Sequence, residues 1–262
     1  MSYKYLLYQV TNGVATITLN NPNTFNALDQ DLCEELLAAF KAGLSDDKVK
    51  IFVLKAAGRM FSAGGDLQYF QKQIDSGEYI DGLLQSIGQL ALELKRMPKL
   101  LITAVSGVAA GAGATVALAG DLVIAADNAR FLQSFTKIAV VPDGGGSYLL
   151  SRSLGFHKSM ELCLTARPLA AAEAQQLGLI YQVVAAEELA NTTQKLAEEL
   201  ATGPLLAYQN LKKQMFAAYF ADYEQYLTEV EFPTMSECTK SADFAEGVAA
   251  FLAKRVPQYI GK

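Results

Sequence analysis

The sequence predicts an α/β fold with mostly parallel strands. Short apolar runs alternate with helix-length amphipathic segments over most of the chain, the pattern of strands joined by helical crossovers. Two glycine-rich segments lie where an apolar run hands over to a helix. From about Ala170 the pattern is almost wholly helical to Arg255, with Gly203-Pro204 as its clearest break.

In order along the chain, Tyr5 to Gln9 and Val14 to Leu19 flank Asn12-Gly13, a strong hairpin signal. Asp29 to Leu44 has helical periodicity, placing Leu32, Leu36, Phe40 and Leu44 on one face. Ile51 to Ala56 reads as a buried strand, and a helix follows from about Asp66. Ile80 to Arg96 is an amphipathic helix and Leu101 to Val105 a strand. Gly107 to Gly120 reads as a small-residue turn and helix, Asp121 to Ala125 as a strand, and Gly144 to Leu154 as a helix. The expected organisation is an α/β core over residues 1–200 and a helical region over 201–262.

Composition narrows the function classes. The 262 residues suffice for one large domain, and a hydrophobic fraction of 51% with 19% charged suits a buried core. A net charge of −5, with no basic patch, argues against nucleic-acid binding. Three dispersed cysteines and one histidine give neither a disulfide framework nor a zinc spacing, so no metal is expected. Met1-Ser2-Tyr3-Lys4 does not open a signal peptide, and Leu100 to Leu118, the longest apolar stretch, is interrupted by glycine and serine. A cytoplasmic protein with no membrane partner is expected.

Three segments carry the chemistry. Phe61-Ser62-Ala63-Gly64-Gly65-Asp66-Leu67 and Gly107-Val108-Ala109-Ala110-Gly111-Ala112-Gly113 both run from strand to helix. Their glycines let a ligand approach the backbone, and helix starts leave N–H groups unsatisfied. Two such sites could converge on one oxygen as an oxyanion hole, or could equally serve close packing of helix on sheet. In the third, Val140-Val141-Pro142-Asp143-Gly144-Gly145-Gly146, a lone carboxylate sits in a tight turn. Asp143 could cap the next helix, or could accept and return a proton. No complete G-x-G-x-x-G, Walker lysine or G-x-S-x-G elbow is present, and His157 reads as structural.

These segments, with Asn21-Pro22-Asn23-Thr24-Phe25-Asn26-Ala27-Leu28, Ala172-Glu173-Ala174-Gln175-Gln176-Leu177-Gly178-Leu179-Ile180 and Phe244-Ala245-Glu246-Gly247 through Arg255, resemble the crotonase (enoyl-CoA hydratase/isomerase) superfamily over essentially the whole chain. The resemblance implies a spiral of ββα units, a C-terminal helical trimerisation region, acyl-CoA thioester substrates, and homotrimers often paired into hexamers. It implies no cofactor beyond the substrate's own CoA. Carried over by position, the oxyanion donors fall on the N–H groups of Gly65 and Ala112. Asn26, Ala27, Leu28 and Ala63 would line the CoA path, with Asp66 and Leu67 near the adenine end. Phe251 and Lys254 match positions that reach a neighbouring subunit's CoA, where a lysine suits phosphate.

The sequence departs from the hydratase members at both of their glutamates, which are replaced by Thr115 and Phe135. Adding water to a conjugated double bond needs a group to activate water and one to protonate carbon. Asp143 is the acid that remains, with Phe135 and apolar neighbours expected to keep it dry. The resemblance therefore narrows to isomerase branches: 3-enoyl to 2-enoyl-CoA isomerases, or the ring-epoxide phenylacetyl-CoA type. A hydratase or other crotonase chemistry is the alternative, with Glu78 or Asp81 as a second acid; a non-catalytic acyl-CoA-binding protein is a third reading. The segment Tyr69 to Leu84, with Phe70, Tyr79, Ile80 and Leu83, is expected to shape the acyl pocket.

Overall fold

Strand segments such as Ile51–Ala56 and Leu122–Ala126 bury apolar residues on both faces, and the architecture follows from covering both. The computed structural model describes residues 3–262. The hairpin of β1 (Leu6–Thr11) and β2 (Val14–Leu19) turns at Asn12 and Gly13, both at positive φ, as a two-residue hairpin requires. Helix α1 (Gln30–Leu44) is capped by the Asp29 carboxylate, which accepts from the Leu32 N–H.

Three ββα units then repeat. The first comprises β3 (Ile51–Ala56), β4 (Met60–Ser62) and α2 (Leu67–Ser76). After α3 (Asp81–Arg96), the second comprises β5 (Leu100–Val105), β6 (Val108–Ala110) and α4 (Ala112–Leu118). The third comprises β7 (Leu122–Ala126) and β8 (Arg130–Leu132), which leads through a 3-10 turn (Phe135–Ile138) to α5 (Gly146–Leu154). Helices α6 (Phe156–Thr165) and α7 (Ala171–Gln176) bracket β9 (Leu169–Ala170), and β10 (Gln182–Val184) follows.

The first strand of each unit joins one sheet and the second joins another. The larger sheet has the order β1-β2-β3-β5-β7-β10, parallel except for the β1–β2 hairpin. The smaller has the order β4-β6-β8-β9, with β4, β6 and β8 parallel. Alternation along β3 splits the core: Ile51 and Val53 pack beneath α8 (Leu189–Ala201), while Phe52 and Leu54 face the main cluster.

The C-terminal helices are α9 (Leu205–Tyr219), α10 (Tyr223–Tyr226), α11 (Phe232–Thr239) and α12 (Ala242–Leu252), with a π-helical turn over Leu227–Glu231. The break at Gly203-Pro204 is present, yet Met235, Phe244 and Val248 belong to the main core cluster. The Phe244 ring meets Phe70 of α2 at 5.8 Å. The expectation of an almost wholly helical chain after Ala170 misses β10, whose three residues are too few to show a period.

Candidate active site

Parallel pairing of β4, β6 and β8 sets their carboxyl ends side by side, so the first two segments enter their helices at one end of the smaller sheet, and the Thr115 side chain of α4 ties the third segment to them through Asp143 O. The first two touch. A Cβ built on Gly64, at φ +89°, would lie 2.6 Å from the Ala110 carbonyl oxygen and 3.5 Å from the Ala112 nitrogen, so only glycine fits there. Gly65 immediately precedes Asp66, which caps α2 by accepting from the Gln68 and Tyr69 N–H groups. Ala112 is the first residue of α4, after Gly111 at φ +51°, so its N–H has no intrahelical acceptor. Two helix starts are thereby set side by side.

The segment expected to line the CoA path is zipped to the first loop. Leu28 N–H donates to Gly64 O at 2.7 Å, Asp66 N–H to Leu28 O at 3.1 Å and Ala63 N–H to Phe25 O at 2.9 Å. For Asn26 the structure assigns an internal role to the side chain. It is fully buried, donates to Ala57 O and Met60 O, and accepts from Asn21 N–H. Asn26 braces the loop rather than presenting its amide to a ligand. Ala27 and Leu28 are also buried, whereas Ala63, Asp66 and Leu67 keep partial exposure. Phe251 and Lys254 lie exposed at the end of α12 and just beyond it.

Asp143 is 6% exposed and its Oδ1 has no hydrogen-bond partner among the described residues. It lines a cavity of about 510 Å³ walled by Leu84, Leu227, Phe232 and Met235. Burial raises its carboxyl to about 7. The turn around it is held from three sides. Thr115 Oγ1 donates to Asp143 O at 3.1 Å, and Tyr223 Oη donates to Gly144 O at 2.8 Å. Gly145 N–H donates to both carboxyl oxygens of Glu231, at 2.9 and 3.1 Å. Gly145 has φ +80°, and a Cβ there would fall 2.1 Å from Tyr223 Oη.

Two expectations change. Phe135 packs beside Gly111, 3.8 Å from where a Cβ would stand, while the cavity wall around Asp143 comes from α3 and the C-terminal helices. Beside Asp143, the other buried carboxyl lining that cavity is Glu231, which the sequence reading missed; Glu93 and Glu224 line it less deeply, and neither Glu78 nor Asp81 lines it. Glu78 is exposed, and Asp81 accepts from Ser236 Oγ at 3.0 Å. Of the expected acyl-pocket residues, Leu84 lines the cavity, whereas Tyr79 is exposed and Phe70 fills the space against Gly65. A signal for Glu231 exists in retrospect: Tyr223, Leu227, Glu231 and Met235 form one i, i+4 stripe, buried throughout, so a carboxylate stands at an apolar position.

The enoyl-CoA hydratase/isomerase family profile matches residues 9–262. The chain belongs to that family. Among curated relatives, it is 35% identical to the trans-2-decenoyl-[acyl-carrier-protein] isomerase of Streptococcus mutans, over 100% of both chains. It is 40% identical to the 1,2-epoxyphenylacetyl-CoA isomerase of Escherichia coli, over 99% of each. An enoyl-CoA hydratase from Mycobacterium avium subsp. paratuberculosis superposes with a TM-score of 0.89 at 31% identity, covering 99% of this chain and 100% of that one. As in this family's solved structures, the fold is the crotonase one of mixed α/β units with C-terminal helices. No helix among the described residues is long and apolar enough to cross a membrane, and none of their His, Cys, Asp and Glu side chains form a group of three that could hold a metal.

Proposed function

We propose that this family member is an enoyl thioester double-bond isomerase in which Asp143 carries a single proton. The observation that supports it is a buried, unpartnered Asp143 oxygen beside apolar walls, with a carboxyl poised near 7. A group half-protonated at working pH can both take and return a proton. Asp143 removes a C2 proton from a 3-enoyl thioester; the electrons move onto the thioester oxygen, giving a dienolate. The N–H groups of Gly65 and Ala112 hold that oxygen, together supplying on the order of 5 kcal/mol. Protonated Asp143 then returns the proton to C4, leaving the conjugated 2-enoyl product.

CoA is the proposed carrier, with Ala63, Asp66 and Leu67 along its path, and with Lys254 and Phe251 serving a neighbouring subunit of a homotrimer or dimer of trimers. No further cofactor enters the scheme, and the cytoplasm is the proposed location. The relatives' names span a carrier-protein-bound decenoyl chain and an epoxidised phenylacetyl group, so fatty and aromatic acyl groups are both candidates for the same proton shuttle.

Glu231 supports a second reading, hydration, because it gives the cavity a second buried carboxyl. Incubation with 3-enoyl-CoA and, separately, 2-enoyl-CoA discriminates between them. Conjugation of the first without water addition to the second is the expected result; rapid hydration of the second would favour the hydratase reading.

A further inference from the structure

Glu231 closes the π-helical turn between α10 and α11 and is 5% exposed. π-turns are frequent at functional sites, and this one ends on a carboxyl that meets the backbone of the Asp143 turn. Both oxygens receive the Gly145 N–H, and Gly145 lies two residues from Asp143. Tyr223, one helical turn before Leu227, reaches the adjoining Gly144 carbonyl. The same segment therefore grips both central residues of the turn. Among the described residues, no ion pair includes Glu231 or Asp143, so the two buried carboxyls of this cavity are not paired with a cation.

We infer that Glu231 is a positioning residue for Asp143: as an uncharged carboxyl it braces the Gly145 backbone and leaves Asp143 as the ionising member of this buried pair. The inference rests on the reading of Asp143 as the proton carrier. Two buried carboxyls that interact do not both ionise readily, so the pair releases its protons in two steps. Burial and the nearby Asp143 hold the Glu231 carboxyl well above the ordinary carboxylate range. A neutral carboxyl keeps a carbonyl oxygen to accept from Gly145, so the brace survives protonation.

The charged and titratable neighbours are consistent with this order. From α3, Glu93 and Arg96 line the cavity, and Arg96 is paired with Glu224 of α10. Tyr223 and Tyr226 of α10 face Glu231, Tyr148 of α5 stacks on Tyr223 at 5.0 Å, and Cys33 of α1 lies near Asp143. Burial raises Tyr223, Tyr226 and Cys33, so all remain neutral while Asp143 titrates.

The full-length Glu231→Gln and Glu231→Ala variants test this beside Asp143→Asn. With Gln, an uncharged acceptor, turnover at neutral pH stays within about threefold of wild type, and the alkaline fall of the rate–pH profile disappears. With Ala, kcat drops about tenfold or more at little-changed KM, because the turn is released. A large loss in Glu231→Gln, or an alkaline limb unchanged in it, overturns the inference. A second readout needs no turnover. At about pH 8, infrared difference spectra should show a protonated-carboxyl band present in wild type and Asp143→Asn and absent in Glu231→Gln. Its absence from wild type also overturns the inference. Near-normal turnover in Asp143→Asn instead removes the proton-carrier reading, whatever the infrared result.

Discussion

Thr115 Oγ1 donates a hydrogen bond of 3.1 Å to the main-chain carbonyl of Asp143. At the position where hydratase-type sequences carry a glutamate, this chain thus has a brace for its remaining acid. A Cβ on Gly144 or Gly146 would come within 3.2 or 3.0 Å of the Thr115 side chain, so little room exists for anything longer. Thr115→Val keeps the shape and deletes the donor. Stability should fall by about 1 kcal/mol, and kcat should fall severalfold with KM nearly unchanged. An unaltered kcat would show that the brace is unnecessary for turnover.

Asp143→Asn should lower isomerisation by several orders of magnitude while leaving CoA-ester binding intact, measured by turnover and by titration with a non-reactive thioester. The same variant has a signature in stability. The Asp143 carboxyl goes from an ordinary 3.8 to about 7 in the folded protein. The native state therefore holds the extra proton between those values, and stability falls as pH rises through that window. Above it the ionised group costs on the order of 4 kcal/mol. Thermal melts of Asp143→Asn should match wild type near pH 4 and exceed it above about pH 7. Melting curves that stay parallel across the range would refute a buried, ionisable Asp143.

Ala112→Pro deletes one proposed oxyanion donor at a helix position that tolerates proline, because the first N–H of α4 lacks an intrahelical acceptor. Turnover should drop about 100-fold to 1,000-fold while circular dichroism stays native. A folded variant with full activity would remove Ala112 from the hole.

Helix α9 exposes Leu211 and Met215, 56% and 49% accessible and four residues apart, on one apolar face. A face of this kind is normally covered by a partner. Light scattering should give a trimer or hexamer, and Leu211→Glu with Met215→Glu should shift it toward monomer. A wild-type monomer at micromolar concentration would refute the assembly.

Strands of five or six residues were legible because their apolar runs are long enough to stand out: Ile51–Ala56 is read correctly to the residue. The three-residue strands β4, β6 and β8 were not, since no period develops over such a length and their partners are distant in sequence. The same contrast holds in the site. Asp143 announces itself through its proline and glycines. Glu231 carries no local mark; between Val230 and Phe232 it reads as one solvated position on a helix, and only the burial of Tyr223, Leu227 and Met235 around it says otherwise.

Tyr223 and Glu231 grip the turn from 79 and 86 residues further along the chain, at Gly144 and Gly145 respectively. The loops bearing Gly65 and Ala112 are complete long before that, within the first two ββα units. On a ribosome, then, the Gly65 and Ala112 loops emerge first, and the residues that hold the Asp143 turn emerge last. A nascent chain stalled before Tyr223 would carry the Asp143 turn without the two contacts that hold its Gly144 and Gly145 backbone.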